Sequence, residues 1–463
     1  MSETDRSINW WLFGITGGLT VVGVAIGAMI YAERDVTSED VRLKQLKAAQ
    51  DWSKIAESSF RPIGTLTTIG LDVDKGRGRN GGRDYISVAL INDQDTDDSL
   101  QRSARLMNDA DMALFPQQPN MQRILLRGTA ITDEGLFHLK GFKYLQDLEI
   151  SKSKIVGGGL EHLATLPALK TIRLCRNPLD LTQLKHLEKL ATLETLDIGE
   201  NPIKDGDLVH LKPLASVKEV VLTGTEVTGT GADQLAELKN LRSLGLSRTP
   251  LTEEGLKQIV KLQQLESLDL TECQFQGAWL DHLKSLPNLK TLILIKTPIT
   301  GEDLARIAAL PQLERLSLAH CKIAGGLRHL KALKSLKVLN LDSTQALPND
   351  FMELASLTSL EELHLANTSF DSPTMKIFES LPNLQNLTLT ANRINDESLS
   401  NLSGLTKLKR LHLGNTDVTN AGMPHLKTLT VLEYLNVRDT QVEPEGWAIL
   451  QAVNRKLYVA SRY

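Results

Sequence analysis

The stretch Leu241-Arg-Ser-Leu-Gly-Leu-Ser-Arg-Thr-Pro-Leu-Thr-Glu-Glu-Gly-Leu-Lys-Gln-Ile-Val-Lys-Leu262 decides how this chain folds. Its apolar period changes partway. Leu241, Leu244 and Leu246 end in alternation, which suits a short strand with its leucines on one face. Leu256, Ile259 and Leu262 recur every third residue, the spacing of a helical or 3₁₀ segment with one apolar side. Neither element can bury that side alone, so copies of the unit must stack. The chain supplies them. The first leucine-type position recurs at Met121, Leu145, Leu169, Leu193, Val217, Leu241, Leu265, Leu289, Leu313, Leu336, Leu360, Leu384, Leu408 and Leu432. Every step is 24 residues except Leu313 to Leu336, which is 23.

The ninth position of the unit holds Thr129, Ser153, Asn177, Asn201, Thr225, Thr249, Cys273, Thr297, Cys321, Thr344, Thr368, Asn392, Thr416 and Thr440. A chain that bends inward after a strand leaves backbone groups the sheet cannot pair. A small polar side chain satisfies them at every rung. The whole pattern, L-x-x-L-x-L-x-x-[T/N/S/C]-x-[I/L/V/F], resembles the leucine-rich-repeat family. Thr129-Ala-Ile-Thr-Asp-Glu-Gly-Leu136 and Thr249-Pro-Leu-Thr-Glu-Glu-Gly-Leu256 match its 24-residue prokaryotic variety. The resemblance implies an α/β fold, a right-handed curved solenoid with a parallel sheet on the concave face and helices on the convex face. It also implies binding of a protein or other ligand on the concave sheet, and names none. Ala346 and Ala232 stand where larger residues are usual, and one residue is missing near Gly325–Leu327, so curvature is expected to change there.

The chain has 463 residues, and the repeats do not begin at once. Ser7 to Ala32 carries no charge. Its apolar centre, residues 10–31, is long enough to span a bilayer as a helix, with Trp10, Trp11 and Tyr31 at the interfaces. A cleaved leader would have a shorter apolar run after a basic start. The expected organisation is a tail at 1–9, a transmembrane helix at 10–31, a juxtamembrane helix and hairpin at 33–84, an N-terminal cap repeat at 85–120, fourteen repeats at 121–455 and a C-terminal cap at 456–463. Helical spacing marks 37–58, and strands are expected at Leu66–Asp74 and Asp84–Asn92. In the cap, Thr96-Asp-Asp-Ser-Leu100 aligns with Thr132-Asp-Glu-Gly-Leu136, and Leu90 with Leu126. Basic residues flank the span on both sides, so the side of the membrane that holds the repeats stays open. Gly14/Gly18 and Gly23/Gly27 lie on opposite faces of the span, and either pair offers a homodimer contact.

Composition excludes several functions. Lys plus Arg is 52 against 56 Asp plus Glu, a net charge of −4, which makes no electrostatic case for nucleic acid. Three cysteines cannot build a disulfide framework, and Cys273 and Cys321, two rungs apart, have Cα atoms near 10 Å apart at about 4.8 Å per rung. All three read as free thiols. His138, His162, His186, His210, His282, His329 and His425 share one column on the helical segments. Neighbouring helices pack about 8–10 Å apart, too far for one metal to join that column. No nucleophile–base constellation stands out, so no enzyme, cofactor or metal is expected.

Two functional classes remain. One is a membrane-tethered repeat protein that binds a protein or peptide on its concave sheet. The other is a scaffolding envelope protein that assembles through its convex face or its anchor. Strand alternation turns the third, fifth and seventh positions of each unit toward the concave side. There the C-terminal units carry Asn340, His364, His412 and Asn436, flanked by Asp342, Arg410, Tyr434 and Arg438. Tyr and Arg dominate binding hot spots, and histidine adds pH sensitivity, so these eight residues form the expected docking patch. Along the second position, Lys170, Glu194, Lys218, Arg242, Glu266, Lys290, Glu314, Lys337 and Glu361 mostly alternate in sign, as a ladder of exposed ion pairs would.

Overall fold

The computed structural model describes the backbone of 72–76 and 85–91, and residues 107–115 and 121–462 in full. The expected transmembrane helix at 10–31, the helix at 37–58 and the two glycine pairs lie outside the described residues. Among the described residues, no helix is long and apolar enough to cross a membrane.

Among the described residues, seventeen strands form one sheet. β1 (Asp72–Gly76) lies antiparallel to β2 (Tyr85–Ile91), with Asp72 opposite Ala89. From β2 onward the pairing is parallel. Leu90 faces Leu126 of β3 (Met121–Arg127), and one strand per unit follows, ending at β17 (Tyr458–Ala460). Register follows the repeat: Leu148 stands opposite Ile172, and Ile172 opposite Leu196. The leucines of the strands and of the helical segments are buried against each other along the whole stack. Most return segments are 3₁₀, as at Leu181–Leu187, where Leu181, Leu184 and Leu187 are all buried. Three-residue spacing is the repeat of that helix, so each turn presents one leucine to the core.

The ninth-position ladder closes the bend. Asn177 Nδ2 donates to the carbonyls of Ile150, Leu174 and Cys175 at 2.7, 3.1 and 3.3 Å. Its Oδ1 accepts the N–H groups of Ser153 and Ile155, both at 3.2 Å. Where the position is Cys, the thiols of Cys273 and Cys321 donate to Leu246 O and Leu294 O, each at 3.0 Å. The second-position charges also pair from rung to rung, with Lys218 to Glu194 at 3.2 Å, Lys290 to Glu266 at 3.0 Å and Lys337 to Glu314 at 2.8 Å.

Two further ladders have no plain signature in the sequence. The eighth residue of every unit has positive φ: Gly128 and Gly224 are glycine, and the rest include Lys152, Arg176, Glu200, Arg248 and Ala391 at 52–57°. The N–H of this residue still donates to the next rung, as from Lys152 to Cys175 O at 2.8 Å and from Ala391 to Gly414 O at 2.9 Å. That bond, repeated from Gly128 to Asn415, over-determines a backbone region that L-residues otherwise avoid. The second ladder is an aspartate staple on the far side of the bend. Asp205 Oδ2 accepts Thr228 N–H at 2.9 Å and Thr228 O–H at 2.7 Å, and Asp396 binds Thr419 in the same way, both at 2.7 Å. Close approach of backbones there explains the glycine of the T-x-x-G pattern. A Cβ added to Gly255 would overlap the carbonyl oxygen of Thr228.

The missing residue of the 23-residue step is absorbed beyond the strands, since Leu316 and Leu339 stay in register. Gly301 and Gly326 meet backbone to backbone at that point, leaving no room for a Cβ on either.

At both ends, segments outside the fourteen units continue the stack. The segment docked against the first repeat is Asn108–Met112, with Asp109 accepting from Thr132 N–H at 2.8 Å and from its hydroxyl at 2.7 Å. Thr96–Leu100, which matched Thr132–Leu136 in sequence, lies outside the described residues. At the other end, the segment read as a cap adds a rung, with Tyr458 opposite Tyr434. Lys456 occupies its leucine position, and the neighbouring Leu457 takes up the buried place.

Candidate functional site

The outer face of the sheet carries the third, fifth and seventh residues of each rung, and its character changes along the stack. At the N-terminal end the arginines are neutralised. Arg123 pairs with Asp147 at 3.3 Å, Arg127 with Glu149 at 2.9 Å, and Arg176 with Glu200. Arg173 lies close enough to Asp197 and Glu219 to favour their charged forms. Burial outweighs it and raises both carboxyls above the usual range.

The expected patch is split by the structure. Asn340 is 5% exposed and is not presented to solvent. Its Oδ1 accepts Asp342 N–H at 2.8 Å, as Asp197 accepts from Gly199 at 3.1 Å and Asp269 from Thr271 at 2.9 Å. Asn436 makes the same bond to Arg438 N–H at 3.0 Å. The fifth position is therefore partly a backbone cap, and its polarity there is structural. Asp342 accepts Ala366 N–H at 2.6 Å, and burial raises its carboxyl above the usual range despite nearby His364. His364 contacts Thr388 Oγ1 at 3.2 Å and lies 3.8 Å from Glu362, whose carboxyl it holds below the usual range.

The remaining residues converge on β15 (Arg410–His412), β16 (Tyr434–Asn436) and β17. Parallel register sets Arg410, Tyr434 and Tyr458 side by side in the third-position row. The His412 ring lies 5.0 Å from that of Tyr434, which stacks on Tyr458 at 5.7 Å and 29°. Tyr458 is 57% exposed and was not foreseen, because it belongs to the unexpected rung. Arg410 is exposed and Arg438 half-buried, and among the described residues neither has a carboxylate within ion-pair distance. Burial, aided by His364 and Arg410, pushes His412 down to about 4. It stays neutral where an ordinary histidine titrates, so any protonation of the ring falls in more acid solution than its residue type suggested. Burial raises the Tyr434 hydroxyl above its usual value, and the phenol remains a donor.

No family model matches the chain, and no curated protein does. Solved structures are similar to it. The TLR13–ssRNA13 complex aligns with a TM-score of 0.52 at 20% identity, over 76% of this chain and 61% of that one, and shows the leucine-rich-repeat solenoid fold. An internalin of Listeria monocytogenes aligns at 0.49 and 21% identity, over 72% of this chain and 88% of its own. A leucine-rich-repeat protein of Leptospira interrogans aligns at 0.47 and 23%, over 75% and 91%.

Proposed function

We propose that this chain is a non-catalytic recognition protein that docks a protein partner on the outer face of its C-terminal rungs, and that residues 10–31 tether it to a membrane. One observation carries the docking reading. Tyr434 and the exposed Tyr458 stand in one row with Arg410, and among the described residues Arg410 and Arg438 have no carboxylate within ion-pair distance, whereas the N-terminal arginines are held by carboxylates. Tyrosine rings on a rigid sheet offer large contact area at low entropic cost, and Tyr and Arg are the residue types that dominate binding hot spots. The uncharged stretch Ser7–Ala32 supports the tether.

Cross-linking in cells followed by capture of the full chain tests the docking face. A partner held by the wild type and released by Tyr434→Ala with Tyr458→Ala supports it. Equal capture by both would place docking elsewhere and favour the scaffolding alternative, in which the helical face or the anchor assembles the protein. For the tether, the full chain is expected in the membrane fraction after alkaline extraction. Release of the protein by alkali would refute the tether.

A further inference from the structure

Resting on the docking face proposed above, we infer that its occupant is an extended acidic peptide segment, held by Arg410 and Arg438 beside the Tyr434 ring. The argument begins with charge. In the four rungs β14 (Asn386–Thr388) to β17, the third, fifth and seventh positions hold Arg410, Arg438 and Arg462 and no carboxylate. The corresponding positions of β4 (Asp147–Ser151) to β7 (Glu219–Val221) hold Asp147, Glu149, Asp197 and Glu219 against the single cation Arg173. The C-terminal rungs are thus basic, whereas β3 to β7 nearly balance those four carboxylates with Arg123, Arg127 and Arg173. An acidic segment is steered to the basic end.

Pairing sharpens the choice. Arg462 is engaged by Asp439, with Nε 2.6 Å from the carboxylate. Lys409, bordering the patch, donates to the neutral Gln385 at 2.9 Å. Among the described residues at the third, fifth and seventh positions of these rungs, Arg410 and Arg438 are left to meet carboxylates from outside, and a guanidinium matches a carboxylate with two parallel hydrogen bonds.

Spacing favours an extended chain. Arg410 is a third-position and Arg438 a seventh-position residue on adjacent strands, so about 13 Å separates them along the strands at about 3.3 Å per residue. His412 and Asn436, the fifth-position residues of the same two strands, lie between them, and the Tyr434 ring beside Arg410 is 5.0 Å from that of His412. With His412 neutral, this middle strip adds no charge and suits the apolar or amide part of a peptide between two acidic side chains.

The test is fluorescence anisotropy with the full chain and a labelled oligoglutamate of about ten residues, long enough to cross the patch at about 3.3 Å per residue. Oligolysine of equal length and a single-stranded oligothymidylate serve as comparisons. Oligoglutamate is expected to bind, and to weaken as salt rises from about 0.1 M to about 1 M, which shortens the screening length from about 10 Å to about 3 Å. Arg410→Glu with Arg438→Glu is expected to lose about tenfold or more, since two attractive pairs become repulsive. Lys218→Glu, far along the sheet, is expected to leave affinity unchanged, and an unshifted melting temperature in the double variant excludes unfolding as the cause. Equal oligoglutamate binding by the double variant, no binding by the wild type, preference for oligolysine, or tighter binding of oligothymidylate would each overturn the inference. The docking face is read separately by partner release from the Tyr434→Ala, Tyr458→Ala variant, so an acidic-ligand failure does not decide it.

Discussion

Arg248 reaches back two rungs to Glu200, its Nη2 2.7 Å from the carboxylate, passing over Gly224. Gly224 is the eighth-position residue of the rung between, and the absence of a side chain opens the path. Burial disfavours the Glu200 carboxylate, but hydrogen bonds from Arg176 and Arg248 outweigh it and hold its pKa below the usual range. Its contribution is present above the unfolded value and lost as pH falls through the folded one. Glu200→Gln should cost about 0.5–1 kcal/mol at neutral pH, the modest worth of solvent-accessible pairs. Gly224→Ala should cost about 1 kcal/mol or more, because its φ is +65° and the new Cβ would stand 3.0 Å from Glu200 Cγ. Urea midpoints of the two variants measure both.

The reverse change should stabilise. Ala391 sits at φ 57° with nothing but a methyl group to place there. Relief of left-handed strain, about 1–2 kcal/mol, exceeds the extra unfolded-state entropy of glycine, about 0.5–1 kcal/mol. Ala391→Gly is expected to raise stability by about 0.5–1 kcal/mol, and an unchanged or lower denaturation midpoint would contradict this.

Asn177 satisfies three carbonyls and two N–H groups from a site 4% exposed. Asn177→Leu keeps the volume and abandons those groups, so a loss of about 3–5 kcal/mol is expected in denaturant titration. A loss below about 1 kcal/mol would show that water replaces the amide.

Acid should weaken the C-terminal rungs through His412. Unfolded, the ring takes a proton near 6.5; folded, it resists until about 4. Between those values the unfolded state holds the extra proton, so stability falls as pH falls. His364 on β13 (Glu362–His364), Arg410 on β15 beside His412 itself and Tyr434 on β16 surround the ring. Buried Asp342, its pKa raised, works in the opposite direction at lower pH. Between about pH 7 and about pH 4.5 the wild type should lose about 1–3 kcal/mol more than His412→Gln. Parallel losses in the two proteins would show that the ring is solvated.

The strands and return segments were legible because a change from two-residue to three-residue spacing has one physical meaning on each side of the bend. The ninth-position ladder was legible because its bonding demand admits few side chains. Nothing marked the left-handed eighth position: Lys152, Glu200 and Ala391 are poor choices for it, and the rung-to-rung hydrogen bond imposes it regardless. Asn340 misled because a buried asparagine capping its own strand and an exposed one offered to a ligand read identically in sequence. Tyr458 was missed because Lys456 interrupts the leucine column. The Asn108–Met112 cap shares only Asp109 with the T-D-E-G-L pattern it imitates.

The bonds between rungs also have a direction in time. The sixth- and eighth-position N–H groups of a rung donate forward, as from Leu174 to Asp197 O and from Arg176 to Gly199 O, and each aspartate staple waits for the threonine of the rung after it. A chain leaving the ribosome presents its N-terminus first. Every newly emerged unit therefore completes the one already made and leaves its own donors open for the unit still inside the exit tunnel. Synthesis from the N-terminus thus suits the direction of these forward bonds, since each rung is offered its acceptors by the unit that follows it.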